Sequence, residues 1–317
     1  MEIYDVIIVG AGPAGLSCAI SLQGLKVLLI EKKRIPYERI ACGEWVPLNF
    51  DADTIVKTES MRTIYPGGEV LSPFKGKIID RNRWQKKMLE ELHCEIHLGE
   101  RVLGVKKNFV WTDRNEYKCD WIVGADGPDS VVRKYVGGNM EFLPALNIKF
   151  ETCQKIEETI VYFCKDIFFG YGWCFPRGDM VNVGIGMIGD MRRPLNNWIE
   201  FLKNRGIIKD KIYQYAGGLI PISGIQRIIK DNVILIGDAG GFVDPLTGAG
   251  IIYAYDTGRY ASELIKGNID IFSFEKMIKK IYGNFLSRRL KRRKFMEENW
   301  NDLVKAVENS WIAFIRE

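Results

Sequence analysis

The stretch that decides the fold is "DVIIVGAGPAGLSCAI", residues 5–20. It begins with an apolar, β-branched run of the kind that forms a buried parallel strand, continues through a glycine-rich turn, and ends with apolar residues at helical spacing. "KVLLIE", residues 26–31, then repeats the strand pattern and ends in an acid. The order strand, turn, helix, strand and acid predicts a βαβ unit that binds a dinucleotide.

Each residue of the turn has a predicted task. Gly10 permits the tight turn, Gly12 lets a pyrophosphate approach the backbone, and Gly15 lets the helix pack on the strand. The helix N-terminus offers unpaired N–H groups and the positive end of its dipole to the phosphates. Glu31, at the end of the second strand, is predicted to accept hydrogen bonds from ribose hydroxyls.

Composition limits the classes of function that fit. The 317 residues are 47% hydrophobic and 27% charged, with a net charge of +5, which is globular and too weakly basic to predict nucleic-acid binding. Seven cysteines without CxxC spacing indicate free thiols in a reducing compartment and predict no metal or iron–sulfur site. The chain begins "MEIYDVIIVG", without a basic leader, and no window is apolar enough to span a membrane. We therefore expect a cytoplasmic protein.

Two later segments repeat the pattern of strand, turn and helix. "CDWIVGADGPDSVVRK", residues 119–134, carries Asp126 and Gly127 after an apolar strand, with Pro128 predicted in the first turn of a helix. "DNVILIGDAGGFVDPLTGAGIIYAYDTG", residues 231–258, ends its strand at Asp238 and starts a long helix near Gly250. An acid at a strand end suits ribityl hydroxyls, and the glycines leave room for an isoalloxazine ring. The three segments together favour FAD over NAD.

At this point the sequence resembles the glutathione-reductase-type flavoproteins of the aromatic-hydroxylase branch, and within them the geranylgeranyl reductase family, which includes the archaeal digeranylgeranylglycerophospholipid reductases. The resemblance spans roughly residues 1–265. It is carried by "ACGEWVP" at 41–47, "YGWCFP" at 171–176, "VNVGIG" at 181–186, "GGLIP" at 217–221 and "GDAGGFVDPLTGAGI" at 237–251.

The resemblance implies an α/β fold with a Rossmann FAD-binding domain and a second, mainly antiparallel β-sheet domain for the substrate. We expect the FAD domain to be discontinuous, over residues 1–45, 76–137 and 222–317, and the substrate domain to cover residues 46–75 and 138–221. Residues 101–127 are predicted to form a small antiparallel excursion. The cofactor contacts implied, with those predicted above, are Gly10, Gly12, Ala14, Gly15, Glu31, Ala41, Cys42, Gly43, Arg81, Val102, Asp126, Gly127, Asp238, Gly248, Gly250 and Ile251. Arg83 is an alternative to Arg81.

The aromatic strand "YGWCFP" raises the question of what it faces. Alternation places Tyr171, Trp173 and Phe175 on one face and Cys174 on the other, and a hairpin turn is predicted at residues 177–179. One interpretation is an ordinary sheet core. The resemblance favours the other, in which the aromatic face lines a tunnel for a polyprenyl chain.

The implied reaction is the hydrogenation of an isoprenoid double bond. An isolated alkene needs a proton as well as a hydride, and only His93 and His97 are available as histidines. Both are expected on the surface beside a helix-to-strand turn, so the candidate proton donors are Cys42, Tyr171, Glu44 or an ordered water. The predicted catalytic residues are Cys42 and Tyr171, together with Trp173 of the aromatic face. Cys42 also fits the alternative of a small buried hydrophobic residue.

Several questions stay open in the sequence. No second GxGxxG is present, so NAD(P)H and a ferredoxin both remain as electron donors. A flavin monooxygenase or halogenase shares the fold, although the motif here is not the double-tryptophan form associated with halogenation. A flavin electron carrier to a quinone or protein partner is a third interpretation. The basic run at residues 287–294 is either a contact with an anionic membrane or a solvated helix face. The C-terminal part after residue 265 is predicted to be helical and shorter than in the family.

Overall fold

The apolar runs that open the chain form parallel strands, as the sequence predicts. The computed structural model describes residues 2–315. The chain divides into two units. The first consists of Met1–Glu38, Gln85–Phe142 and Ile220–Leu290, and the second of Arg39–Trp84, Leu143–Leu219 and Lys291–Glu317.

Eight strands make the sheet of the first unit: β1 (Ile3–Val9), β2 (Val27–Glu31), β6 (Glu95–Leu98), β7 (Val102–Lys106), β8 (Phe109–Thr112), β9 (Glu116–Gly124), β15 (Ile229–Lys230) and β16 (Val233–Leu235). The order along the sheet is β15-β16-β9-β1-β2-β6, and all neighbours from β16 to β6 are parallel. β7 and β8 pair antiparallel with each other, and β8 pairs with β9, which confirms the predicted excursion. β2 and the C-terminal ends of β1 and β9 are buried because their side chains there are apolar on both faces.

The helices of the first unit are α1 (Pro13–Ser21), α3 (Val131–Val136), α5 (Ile251–Ile265) and α6 (Ile271–Ile278), with a 3-10 turn at Gly237–Gly240 and a π-helical turn at Lys279–Gly283. α2 (Arg81–Glu90) and α7 (Asn284–Glu298) each run from one unit into the other along the chain. α1 and α5 pack closely at Gly258, where a Cβ would lie 2.4 Å from the carbonyl oxygen of Ala14. α3 begins later than predicted, because the Ser130 side chain caps it and Pro128 stays outside.

The second unit is built on one eight-stranded sheet. Its strands are β3 (Trp45–Val46), β4 (Thr54–Tyr65), β5 (Gly68–Ile79), β10 (Phe142–Thr152), β11 (Thr159–Tyr162), β12 (Tyr171–Arg177), β13 (Met180–Gly186) and β14 (Ile208–Pro221). The order is β14-β10-β13-β12-β11-β4-β5-β3, and only the β4–β11 pairing is described as parallel. The mainly antiparallel sheet is therefore as predicted. β12 and β13 form the expected hairpin, with Gly178 at φ +68° in its turn.

A helix covers one face of this sheet. α4 (Arg192–Asn204) contributes Trp198, which is fully buried in a cluster with Cys174, Ile148 and Val183. α8 (Leu303–Glu308) also belongs to the second unit, where Tyr65 donates a hydrogen bond of 2.7 Å to Glu308 and packs against Phe314.

The compact units differ from the predicted domain bounds in several segments. Residues 39–45, 76–84 and the C-terminal segment from residue 291 are predicted in the first domain but group with the second unit, whereas residues 138–142 and 220–221 group with the first. Strand pairing of β5 with β4 holds residues 76–79 in the second unit. Aromatic packing holds the C-terminal segment there, because Trp311 lies 4.9 Å from Phe163 and Trp300 lies 5.7 Å from Phe169 between ring centroids.

Candidate flavin site

The glycine turn after β1 has the geometry that its spacing predicts. Gly10 has φ +106°, and a Cβ there would lie 2.4 Å from the carbonyl oxygen of Ala125. A Cβ on Gly15 would lie 1.9 Å from the carbonyl oxygen of Gly10. At Gly12, by contrast, no atom of residues 2–315 outside Gly12 and its chain neighbours comes within 4 Å of a built Cβ. Gly10 and Gly15 therefore permit close packing, whereas Gly12 borders open space that fits the pyrophosphate of a dinucleotide.

The Glu31 carboxylate holds this turn in place. Its Oε2 accepts a hydrogen bond of 2.8 Å from the N–H of Ala11, and its Oε1 accepts one of 2.8 Å from the N–H of Lys33. Carboxylate oxygens can accept further bonds, so the remaining lone pairs suit ribose hydroxyls. Glu31 thus combines a structural task with the predicted contact to the cofactor.

Asp126 and Gly127 follow β9 beside this turn, since the Cα of Asp126 lies 2.9 Å from the built Cβ of Gly10. The Asp126 carboxylate accepts hydrogen bonds from the Ser130 hydroxyl at 2.6 Å and from the N–H groups of Val131 and Val132 at 2.7 and 3.3 Å. Burial nevertheless raises the pKa of Asp126 above its usual range. This side chain is committed to the start of α3, so any contact with the cofactor falls to the backbone here.

The segment after β16 brings the third motif to the same end of the sheet. A Cβ on Gly237 would lie 2.9 Å from the Cβ of Ala14, and one on Gly250 would lie 3.5 Å from Oδ1 of Asp238. Gly248 has φ +70°, and Ile251 is the first residue of α5. The predicted contacts at the carboxyl ends of β1, β9 and β16 are therefore neighbours, as expected at the edge of a parallel sheet.

Two residues near the turn qualify the prediction. The Val102 side chain lies in the apolar core of the first unit and is 6% exposed, so only its backbone could face an adenine. Gln85, which the sequence did not indicate, is buried and donates to the carbonyl oxygens of Ala11 at 2.8 Å and Pro36 at 3.2 Å. Its Oε1 has no partner among the described residues.

His97 differs from the prediction of a surface residue beside a turn. It lies on β6, half-buried between the carboxylates of Glu95 at 2.8 Å and Glu100 at 2.9 Å. The prediction was wrong here because the buried Glu100 and the Tyr117 hydroxyl draw the ring into a polar cluster. No group of three or more His, Cys, Asp and Glu side chains in residues 2–315 could hold a metal ion.

In the second unit, the loop with Ala41, Cys42 and Gly43 lies against the sheet. The Cys42 Sγ accepts from the N–H of Glu44 at 3.3 Å. A Cβ on Gly43 would lie 2.7 Å from the Phe175 ring, so only glycine permits this approach. The Cβ of Ala41 lies 3.4 Å from a Cβ built on Gly218, in the "GGLIP" segment of β14. Three of the motifs that carry the resemblance thus meet within this unit.

Glu44 is buried, with 2% of its surface exposed, and has φ +63°. Its carboxylate accepts from Nε of Arg177 at 2.6 Å, from Nδ2 of Asn182 at 2.9 Å and from Nζ of Lys149 at 3.4 Å. A carboxylate between two cations and an amide donor is held as an acceptor. Glu44 is therefore a poor candidate for the proton donor, and its contacts assign it an anchoring task.

The start of α2 depends on the same carboxylate. The Arg81 N–H donates to Oε1 of Glu44 at 3.4 Å, and Arg177 also pairs with Asp80 at 3.1 Å. The Arg81 Nε is buried and has no hydrogen-bond partner in the described part of the chain. This guanidinium could therefore bind an anion. The Arg83 side chain, the alternative to Arg81, is exposed.

The aromatic strand has the two faces that alternation predicts. Tyr171 and Trp173 are neighbours, with ring centroids 6.1 Å apart, and Trp173 covers Gly184 of β13, where a Cβ would lie 2.1 Å from its ring. The indole N–H donates to Oδ1 of Asn147 at 3.0 Å. Cys174 points to the opposite face, where burial raises its pKa. Trp311 packs 5.1 Å from Tyr171, so the C-terminal segment covers part of the aromatic face.

Three features define an FAD-binding oxidoreductase. They are the glycine turn after β1, the Gly237-Asp238 segment after β16, and the antiparallel sheet with its Cys42-Gly43 loop. The sequence model of the pyridine nucleotide-disulphide oxidoreductase family matches residues 4–189, and the chain belongs to that family and, within it, to the group of digeranylgeranylglycerophospholipid reductases.

The relatives agree with this assignment. Digeranylgeranylglycerophospholipid reductase 1 of Methanococcoides burtonii is 30% identical over 305 residues, which cover 82% of this chain and 74% of the relative. The digeranylgeranylglycerophospholipid reductase of Methanocaldococcus jannaschii is 28% identical over 355 residues, covering 96% and 90%. The crystal structure of a geranylgeranyl bacteriochlorophyll reductase-like protein from Thermoplasma acidophilum superposes with a TM-score of 0.82 at 22% identity, covering 98% and 97%.

These matches confirm the predicted family, the fold class and FAD as the cofactor. The roles of the individual site residues remain predictions. Within residues 2–315 no helix has the length and apolar character needed to cross a membrane.

Proposed function

We propose that the protein reduces carbon–carbon double bonds of geranylgeranyl or longer polyprenyl groups, with FAD as its cofactor. The observation that carries this proposal is the meeting of the "ACGEWVP", "YGWCFP" and "VNVGIG" segments around one buried carboxylate, in a chain that aligns over most of its length with digeranylgeranylglycerophospholipid reductases. A binding module without chemistry would not need a cysteine loop held this firmly.

When bound in its reduced form, FAD supplies a hydride to one carbon of the double bond. The other carbon needs a proton, and we assign its delivery to Cys42, with Tyr171 as the second candidate. The Cys42 thiol is only half-buried and lies in the loop that Glu44 anchors. General acid catalysis of this kind typically contributes a factor of about 10² to 10⁴ in rate.

The proposed substrate class follows from the aromatic face of β12. Trp173 is oriented by Asn147, and the half-buried Tyr171 ring extends the aromatic surface on the same side, whereas Phe163 behind it is buried. A flexible apolar chain gains about 0.8 kcal/mol for each methylene that it buries against such a wall. We therefore propose a linear isoprenoid lipid as the substrate and NAD(P)H or a ferredoxin as the electron donor.

We also propose a peripheral contact with the membrane where such a lipid resides. The predicted basic run contributes less than its letters indicate, because Arg289 pairs with Asp244 at 3.3 Å and Arg293 is buried beside Glu297 at 2.8 Å. Instead, α6 exposes 75% of Phe272 together with Lys276 on the following turn. Because the exposed Glu275 lies on the same turn as Lys276, the charges there offset each other, and the apolar ring of Phe272 is the group that would enter the bilayer surface.

The reductase proposal is tested by product mass. The FAD-loaded protein, dithionite and a geranylgeranyl glycerophospholipid are incubated without oxygen, and the lipid is examined by mass spectrometry. We expect a gain of two hydrogens for each reduced double bond. An unchanged lipid with the wild-type protein, when a reductase of known activity converts it under the same conditions, would reject the proposal. Adding NADPH or a reduced ferredoxin in place of dithionite identifies the donor.

The membrane contact is tested separately by co-sedimentation with vesicles of phosphatidylglycerol and phosphatidylcholine. Phe272→Ser is expected to lower the bound fraction, and equal binding by wild type and F272S would reject this surface.

A further inference from the structure

The Glu44 carboxylate joins three separate segments of the second unit. The first is its own loop, with Cys42 and Gly43, and the second is the start of α2, through the N–H of Arg81. The third is the β12–β13 hairpin, through Arg177. The sequence positions of these segments give no hint that one carboxylate connects them.

Asn182, on β13, extends this arrangement to the aromatic strand. Its Nδ2 donates to Oε2 of Glu44 at 2.9 Å and to the carbonyl oxygen of Gly43 at 3.3 Å. Its Oδ1 accepts from Nδ2 of Asn147 at 3.3 Å, and Oδ1 of Asn147 accepts from the indole N–H of Trp173 at 3.0 Å. The side chains of Asn182 and Asn147 are 0% and 2% exposed. Both amides therefore donate and accept in one direction, and donation runs from the indole to the loop.

The chemistry of this network favours a fixed geometry over stability. Two carboxylates, the buried Glu44 and the partly exposed Asp80, face two cations, Lys149 and Arg177, so the charges of the network balance. Buried ionic networks often add little to stability compared with apolar packing, but they tolerate only one arrangement when every partner is satisfied. An apolar residue at position 182 would fill the same space without orienting either neighbour.

We propose that Asn182 is a positioning residue that fixes the Gly43 carbonyl, and with it the Cys42 loop, relative to the Trp173 indole. The proposal rests on the proposed function only in that Cys42 and Trp173 contact the substrate there. Asn182 is then expected to affect both the rate and the substrate specificity. An alkene that packs against Trp173 comes close to Cys42 only if the Cys42 loop keeps a fixed position relative to the indole.

The first test follows Cys42 itself rather than turnover. The FAD-loaded protein is alkylated with iodoacetamide under native conditions, and the rate at Cys42 is read by peptide mass spectrometry, separately from the exposed Cys153. Asn182→Ala should raise the Cys42 rate about tenfold, since a hydrogen bond to a charged group contributes roughly that factor in an equilibrium. Thr63→Val is the matched control, because Thr63 is buried in the same sheet and its Oγ1 has no partner in the described chain. An unchanged rate in N182A would overturn the proposal.

A near-isosteric variant tests the contact when N182A fails to fold. Asn182→Leu keeps nearly the same volume but removes the donor to Glu44 and to the Gly43 carbonyl. We expect N182L to raise the Cys42 alkylation rate as N182A does. A wild-type rate in N182L would also overturn the proposal.

Steady-state kinetics then separate this proposal from the reductase itself. With a prenyl substrate, N182A should lower kcat and raise KM for long chains more than for short ones, and T63V should change neither. Faster alkylation in N182A with no turnover in wild type would retain the positioning role and reject the reductase. Turnover in wild type with N182A unchanged in kcat, KM and alkylation would retain the reductase and reject the positioning role.

Discussion

The Glu44 carboxylate and the Arg177 guanidinium form a buried ion pair, with Oε2 and Nε 2.6 Å apart and a sequence separation of 133 residues. Glu44 holds this position at φ +63°, a conformation that non-glycine residues rarely adopt. The carboxylate contacts offset that strain and hold the Cys42 loop against the aromatic hairpin. This ion pair is therefore the structural link between the two motifs that carry the proposed function.

Removal of one partner of this pair should be costly. Arg177→Met leaves Glu44 with Lys149 as its cation and Asn182 as a neutral donor, and is expected to lower the free energy of unfolding by about 3 kcal/mol, as for other broken buried pairs. Urea denaturation measures the loss. The control is Arg62→Met, which breaks the part-exposed pair with Glu158 at 2.6 Å and should cost only about 1 kcal/mol. Equal losses in the two variants would contradict the anchoring task of Glu44.

The glycine turn offers a pair of substitutions with opposite signatures. Gly12→Ala adds a Cβ to open space at ordinary dihedral angles, so the melting temperature of the FAD-free protein should stay unchanged while FAD affinity falls at least about tenfold. Gly15→Ala would press against the Gly10 carbonyl and should destabilise the protein itself. Differential scanning calorimetry and flavin titration distinguish the two. Full FAD affinity in G12A would contradict the placement of the pyrophosphate.

The proton donor can be identified by two single-atom changes. Cys42→Ser should lower kcat by about 10² or more if the thiol donates, whereas Tyr171→Phe should then have a smaller effect through packing against Trp311. Rates are compared anaerobically with one prenyl substrate. The reverse ranking assigns the proton to Tyr171, and full rates in both variants point to an ordered water.

Alkaline pH should weaken the fold through buried thiols. Burial raises the pKa of Cys18 from 9.0 to about 12, although Lys266 partly opposes this shift. The folded state therefore keeps a proton that the unfolded state releases, so the free energy of unfolding falls as pH rises from about 9 to about 12, by at most roughly 1.4 kcal/mol per pH unit for each such thiol. Urea unfolding across this range should show a shallower slope in Cys18→Ala. The same slope in C18A and wild type would contradict the account.

Much of the first unit could be predicted because local patterns determine it. The glycine spacing, the apolar runs and Glu31 act over short separations, and the carboxyl ends of parallel strands meet by topology alone. The hairpin with Trp173 was also predictable, since alternation and a short turn define it.

The buried network could not be predicted in the same way. Lys149 and Asn182 stand in apolar strands, and a polar residue there signals only that it needs a partner. The partner depends on how β10 and β13 pack against the Glu44 loop. Lys149 and Asn182 lie 105 and 138 positions from Glu44 in the sequence. Asp126 shows the converse, because a residue assigned to the cofactor uses its side chain to start α3.

The most direct measurement of the central claim is a rapid-mixing experiment without oxygen. Protein with chemically reduced FAD is mixed with a geranylgeranyl lipid, and the flavin absorbance is followed. The reaction is quenched, and the mass of the lipid is measured by mass spectrometry. The account predicts that the flavin becomes oxidised as the lipid gains two hydrogens per reduced double bond, and that Trp173→Ala slows both signals together. A flavin that stays reduced with the lipid and is oxidised only when air enters, or full activity in W173A, would contradict it.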